Sequence, residues 1–226
     1  MLLANTAEAG GGMEGFGVPS NMDFYGGGSV GMTSQDGACN AVENSLSTST
    51  GCKDADTGYK IFAGTRLKPS DTSGTLPVLG VEAGYINFGE SSGSGDLYGS
   101  TSRKGNPENI IGSTASSSEL TGLYAAGVAF MPVAPRTEIL AKAGVMRWNQ
   151  ENNYKQTVAG DPLDNLNQST STSESGFGGL LGVGAQYQMT DNLAVRGEYE
   201  RGFGIGKDAN KTDPSLLSVG AVFSTY

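Results

Sequence analysis

The chain has no histidine and only two cysteines among its 226 residues. Without His, a Ser-His-Asp triad, a Cys-His pair and a His-ligated metal centre are all unbuildable, and most enzyme classes fall away. No segment approaches the roughly 18 consecutive apolar residues that a membrane-crossing helix needs. Basic residues are scarce too: 14 Lys and Arg stand against 23 Asp and Glu, a net charge of −9. That balance argues against a nucleic-acid partner, since phosphate binding needs clustered cations. The missing apolar run leaves one membrane architecture open, because a barrel strand shows lipid only at every second residue.

What the chain does have is glycine and a period of two. Many of its 36 Gly lie inside alternating segments. Glycine weakens an ordinary strand but suits a narrow lumen where facing side chains would collide. Nine Tyr and eight Phe count against a disordered Gly-rich chain. The alternation is clearest near the C-terminus. Phe177, Leu181, Val183, Ala185 and Tyr187 fall on one parity, and Gly178, Gly182, Gly184, Gln186 and Gln188 on the other. Leu193, Val195, Gly197 and Tyr199 then alternate with Ala194, Arg196, Glu198 and Glu200, and Leu217, Val219, Ala221 and Phe223 with Ser218, Gly220 and Ser224. One apolar and one polar or glycine face is the pattern of a half-buried strand. With charges on the polar face and aromatics at the ends, it suits a barrel with lipid outside and a polar interior.

Further strands are expected near residues 23–33, 58–68, 77–89, 120–131 and 137–149. In the fourth, Tyr124, Ala126, Val128 and Phe130 read as outward and Thr121, Ala125 and Gly127 as inward. Connections after odd strands are long (34–56, 91–119, 150–175, 202–213) and those after even strands short (69–76, 132–136, 189–192). Residues 91–119 and 150–175 lack an apolar period and read as polar loops. The expected fold is all-β: an eight-stranded antiparallel up-and-down transmembrane β-barrel over 22–226 with four long surface loops. An even strand number puts both termini at the short-turn rim, the periplasmic one, and the long loops outside the cell. Residues 1–21 read as a truncated signal-peptide remnant or a flexible Gly-rich leader, with Ala7-Glu8-Ala9 similar to a cleavage site.

Five short motifs carry a family resemblance: Val81-Glu82-Ala83-Gly84-Tyr85, Lys142-Ala143-Gly144-Val145-Met146-Arg147-Trp148, Gly184-Ala185-Gln186-Tyr187, Arg196-Gly197-Glu198-Tyr199 and Leu217-Ser218-Val219-Gly220. Over 22–226 the chain resembles the transmembrane domain of the outer membrane protein A family. The resemblance implies a bacterial outer-membrane location and a salt-bridged, water-pocketed lumen. It departs from the family in two ways. The periplasmic peptidoglycan-binding domain that many relatives carry is expected to be absent. Thr225 also holds the parity of the expected terminal aromatic, and Tyr226 comes one residue later.

Glu82, Lys142, Arg196 and Glu198 share the inward parity of three strands, with Arg66 on a fourth. In a narrow lumen they should pair, because an unpaired buried charge is far costlier than a paired one. They read either as a static plug or as a gate in which Arg196 changes partner. Glu198 and Glu200 form a carboxylate pair that invites a glycosidase reading, but the adjacent Arg196 favours salt bridging. Cys39 and Cys52 share one long loop and are expected to form a disulfide in the oxidising periplasm. Closing that loop would contribute about 3 kcal/mol in the chain-entropy model. Asp54-Ala55-Asp56-Thr57-Gly58 lacks the remaining ligands of a calcium loop, and residues 202–207 lack the spacing of a phosphate loop. No catalytic residue, metal or cofactor is expected. The expected partners are outer-membrane lipid and lipopolysaccharide, with a surface ligand or protein at the loops. Alternatives are a soluble lipocalin-like carrier, which the inward charges oppose, and an outer-membrane lipid-modifying enzyme, which the missing His opposes.

Overall fold

Alternation becomes a ring. The computed structural model describes residues 22–35, 47–53, 55–67, 77–103, 106–159, 167–206 and 212–225. Its strands are β1 (Met22–Gln35), β2 (Ser47–Lys53), β3 (Ala55–Leu67), β4 (Val78–Arg103), β5 (Asn106–Ala134), β6 (Thr137–Ala159), β7 (Gln168–Gln188), β8 (Leu193–Phe203) and β9 (Pro214–Thr225). All pairings between them are antiparallel. Neighbours run β4-β3-β1-β9-β8-β7-β6-β5, and β5 returns to β4. Eight strands thus close an up-and-down barrel. The short β2 pairs with β4 on the same side as β3, higher up the wall. Residues 1–21, Cys39 and the turn at 69–76 lie outside the described residues, so the leader and the Cys39–Cys52 bridge do too.

The outward face is apolar. Val30, Ile61, Val81, Val145, Val183 and Phe223 are all exposed, Phe223 at 64%. Water would penalise such a belt; lipid does not. The inward face is buried and alternates with it along β8 and β9.

β5 corrects one expectation. Tyr124, Ala126, Val128 and Phe130 are buried and face the lumen, while Leu123 and Met131 are exposed. The hydrophobicity of that strand misleads because its lumen side packs against aromatic and cationic neighbours, which reward large rings. Phe130 lies edge-on to Tyr25, with ring centres 5.8 Å apart.

The wall also rises further than the alternation suggests. Residues 91–119 and 150–175 are largely strand, not loop: β4–β5 pairing continues to Arg103↔Asn106, and β5–β6 to Ile111↔Ala159. Apolar alternation needs one dry face. Above the lipid both faces meet water, so the backbone ladder persists under a Ser/Thr sequence with no period to read. Between Asn87 and Glu90 the β4–β5 register shifts, as at a bulge, where Gly89 takes φ 76°. There Asn87 accepts the Gly89 N–H at 2.6 Å and donates to Glu119 at 3.0 Å.

The two described short turns are tight. Ala134 pairs with Thr137 across Pro135 and Arg136. At 189–192, Asn192 donates its side-chain amide to the Ser224 carbonyl at 2.9 Å and pins the turn to β9.

The seam between β1 and β9 closes the ring. A Cβ on Gly220 would strike the backbone oxygen of Gly28 and come within 2.5 Å of the Ser29 side chain. Backbone cannot step aside as a flexible side chain can. Gly220→Ala is expected to destabilise the barrel by about 1–3 kcal/mol, the usual cost of overpacking. Urea titration of the folded, fast-migrating band on unheated gels would read that shift.

Candidate functional site: the closed lumen

β6 gives the axial order of the interior. From the short turn upward its inward residues are Glu138, Leu140, Lys142, Gly144, Met146 and Trp148. Lowest is an ion pair of Arg66 with Glu138 at 3.2 Å. The Arg66 guanidinium also lies 4.1 Å from the centre of the Phe130 ring.

Above it sits a buried cluster of charge. Lys142 Nζ lies 2.9 Å from Glu82, 2.7 Å from Glu198 and 2.8 Å from Glu200. An ammonium has three protons and no acceptor, so it suits a site among three carboxylates. Its contact with Glu82 is an aligned hydrogen bond. Those with Glu198 Oε1 and Glu200 Oε1 are close as ion pairs but poorly aligned as hydrogen bonds. Lys60 takes the other oxygens of the same two glutamates, with Glu200 at 2.7 Å. Arg196 donates to Glu82 at 2.8 Å and to Gln186 at 2.9 Å. Tyr25 and Tyr124 donate their hydroxyls to Glu82 at 3.0 and 2.8 Å. Glu82, Glu198 and Glu200 therefore face Lys60, Lys142 and Arg196, three charges of each sign. Charge balance is what allows the cluster to be this dry.

Arg196 Nη2 is buried without a hydrogen-bond partner. Its guanidinium instead lies 4.9 Å from the Phe62 ring centre and 5.0 Å from that of Tyr25. Ring faces offset part of the desolvation of a cation.

A third tier is apolar. Ile86, Phe88, Leu120, Met146, Leu180 and Leu216 are completely buried, and Trp148 is nearly so. Ile205 joins them from the β8–β9 connection, also fully buried. Gly204 and Gly206 hold φ values of 68° and 96° on either side of it. Side chains rarely tolerate that conformation, so the Gly-x-Gly pattern at 204–206 serves a turn that points Ile205 inward.

Of the residues singled out in the sequence, Glu82, Lys142, Arg196 and Glu198 lie in one contact network, and Arg66 lies below it with Glu138. Glu200, read in the sequence with Glu198 as a salt-bridging carboxylate pair, joins that network, while Lys60, Tyr25, Tyr124, Gln186 and Glu138 escaped selection. Lys60 was discoverable, since it alternates with the outward Tyr59 and Ile61. Tyr124 was hidden by the inverted parity of β5. Every oxygen of Glu198 and Glu200 lies against a lysine, both residues are nearly sealed from water, and no sugar could reach them. Among the described residues, no group of three His, Cys, Asp or Glu is placed to hold a metal ion.

A ring of eight tilted antiparallel strands with an apolar belt outside and paired charges inside defines an outer-membrane β-barrel. The OmpA-like transmembrane domain family matches residues 19–225, and the chain belongs to that family. No curated protein matches it. Similar solved structures include the attachment invasion locus protein of Yersinia pestis in complex with the heparin analogue sucrose octasulfate, at 11% identity over 89% of this chain and 99% of that one, TM-score 0.44. The outer membrane protein OprG of Pseudomonas aeruginosa is 11% identical over 91% and 96%, TM-score 0.45. A major outer membrane protein of Thermus thermophilus is 16% identical over 90% and 99%, TM-score 0.43.

Lys142→Met would leave three carboxylates facing two cations. Breaking a buried pair this way costs about 3–5 kcal/mol. Adding Glu200→Gln should recover part of the loss, because the two groups touch and their effects do not add. Melting of the single and double variants in detergent measures both quantities.

Proposed function

We propose that the protein is a closed, non-catalytic outer-membrane anchor that holds the raised β4–β7 wall at the cell surface, with its termini in the periplasm. The observation that carries this reading is the double seal of the lumen. An ion-paired layer lies directly beneath an apolar one, and each alone would obstruct water. The outer belt contacts lipid and lipopolysaccharide, and the polar wall above it is free to meet a surface ligand. The charge-bearing lumen remains best read as structure, since its acids and bases neutralise one another.

A small gated pore is the second reading. Arg196 favours it, because its Nη2 lacks a partner and its one carboxylate, Glu82, is also held by Lys142. An Arg196 that let go of Glu82 would leave that acid paired. The apolar tier opposes this gate, since it stays shut when the ions rearrange.

Planar-bilayer recordings separate the two. The wild type and Arg196→Ala should both conduct poorly, and conductance should appear only when Leu180→Ala and Leu216→Ala are added to Arg196→Ala. Frequent openings in Arg196→Ala alone would favour the gate. Orientation is tested by protease on whole cells: cleavage within the β4–β7 wall is expected, and cleavage confined to the turns at 135–136 and 189–192 would reverse the assignment.

A further inference from the structure

The barrel wall is uneven. β7 pairs with β6 from Gln156↔Gln168 down to Thr137↔Tyr187. Its pairing with β8 starts only at Gly179↔Phe203. Residues 168–178 thus have one paired edge and, among the described residues, one open edge. At ~3.3 Å per residue that edge is about 30 Å or more of backbone donors and acceptors. Both faces of residues 168–173 are exposed.

Natural sheets blunt such edges with Lys, Pro or a bulge. This stretch has none of them. It reads Gln168-Ser169-Thr170-Ser171-Thr172-Ser173-Glu174-Ser175, and Glu174 is its one charge. Its register with β6 is unbroken. Small hydroxyl side chains leave the backbone accessible. A cavity of about 620 Å³ borders it, lined by Ser116, Tyr154 and Lys155 together with Ser169 and Thr170 of the open strand.

We propose that the open edge of β7 over residues 168–178 docks an extended, neutral-to-basic segment of another protein as an added antiparallel strand. The proposal rests on the surface-display reading above. An edge of evenly spaced N–H and C=O groups is matched by another backbone, and a sugar or headgroup lacks that repeat. The raised wall carries Glu90, Asp96, Glu108, Glu119, Glu151 and Glu174 against Arg103 and Lys155, which disfavours an acidic segment. A second copy in the same membrane runs its β7 in the same direction and could offer only a parallel pairing, the weaker kind. A free segment takes the antiparallel one, with β7 between it and Tyr154 and Lys155 of β6.

The test uses the full chain in lipid nanodiscs and a fluorescent peptide of alternating threonine and valine with a lysine at each end. Saturable binding is expected, with amide exchange at residues 168–178 slowed only when peptide is present. Methylating every peptide nitrogen should weaken binding by about tenfold or more, since it removes the pairing donors. Adjacent residues face opposite edges, so Thr170→Pro or Ser171→Pro removes an outward N–H. At least one should weaken binding by about tenfold while the folded band persists on unheated gels. Absent saturation, equal binding of the methylated peptide, or equal binding by both proline variants overturns the proposal. So does slow exchange at this edge without peptide, which means the chain itself covers it. Efficient cross-linking of Ser171→Cys into dimers gives the edge to a second copy and overturns it equally. Because whole-cell proteolysis of this wall is independent, a failed titration with that cleavage intact removes the docking edge and leaves the display reading standing.

Discussion

Backbone hydrogen bonding in a solvent that offers none is the constraint on which this structure depends. Within lipid, each unpaired N–H or C=O costs several kcal/mol, roughly as for any buried polar group without a partner. A sheet escapes that cost only by closing, and here β1 meets β9 over twelve paired positions from Phe24↔Thr225 to Gln35↔Pro214. Closure with eight strands makes the interior narrow. Narrowness then dictates the small residues on the inward parity, such as Gly182 beside Lys142 and Glu200, and Gly184 beside Glu198. Glycine here is the complement of the long charged side chains that fill the space.

The charges follow from the same geometry. An open lumen would hydrate Glu82, Glu198 and Glu200, and they could stand alone. In a filled one they cannot, so Lys60 on β3, Lys142 on β6 and Arg196 on β8 are required at matching heights. A single slip of register would turn all the inward residues of a strand outward. Displacing β6 by one residue would put Lys142 into lipid and leave the carboxylates short of a cation. The cluster therefore ties the register of β3, β4, β6 and β8 together. That is a structural use for an interaction that, on desolvation grounds, adds little net stability.

This dependence explains which features the sequence disclosed. Parity is a local property, and in β7, β8 and β9 it separates lipid-facing from lumen-facing residues without ambiguity. It fails in β5 because Tyr124, Val128 and Phe130 are as apolar as a lipid-facing set, while Ala125, Gly127 and Ala129 are as small as a lumen-facing one. Only the partners inside the lumen, Glu82 for Tyr124 and Arg66 for Phe130, decide the matter. The height of the wall was illegible for a different reason. Above the lipid neither face is dry, and a Ser/Thr strand resembles a Ser/Thr loop. Ile205 was concealed by the glycines around it, whose spacing fits no phosphate loop and whose use in a turn shows only in their φ values.

The unequal wall is itself a consequence of where the strands stop. β8 ends at Phe203, β9 starts at Pro214 and β1 ends at Gln35, so three neighbouring strands finish low. β4, β5, β6 and β7 continue together and pair with one another as they rise. A sheet of paired strands standing on one side of a ring must end in edges, because only full closure removes them. The lower ring meets the demand of lipid and has no edge. The upper wall stands in water, where an open edge is tolerated, and the change of solvent along a single strand permits one backbone to be fully paired below and, among the described residues, half paired above.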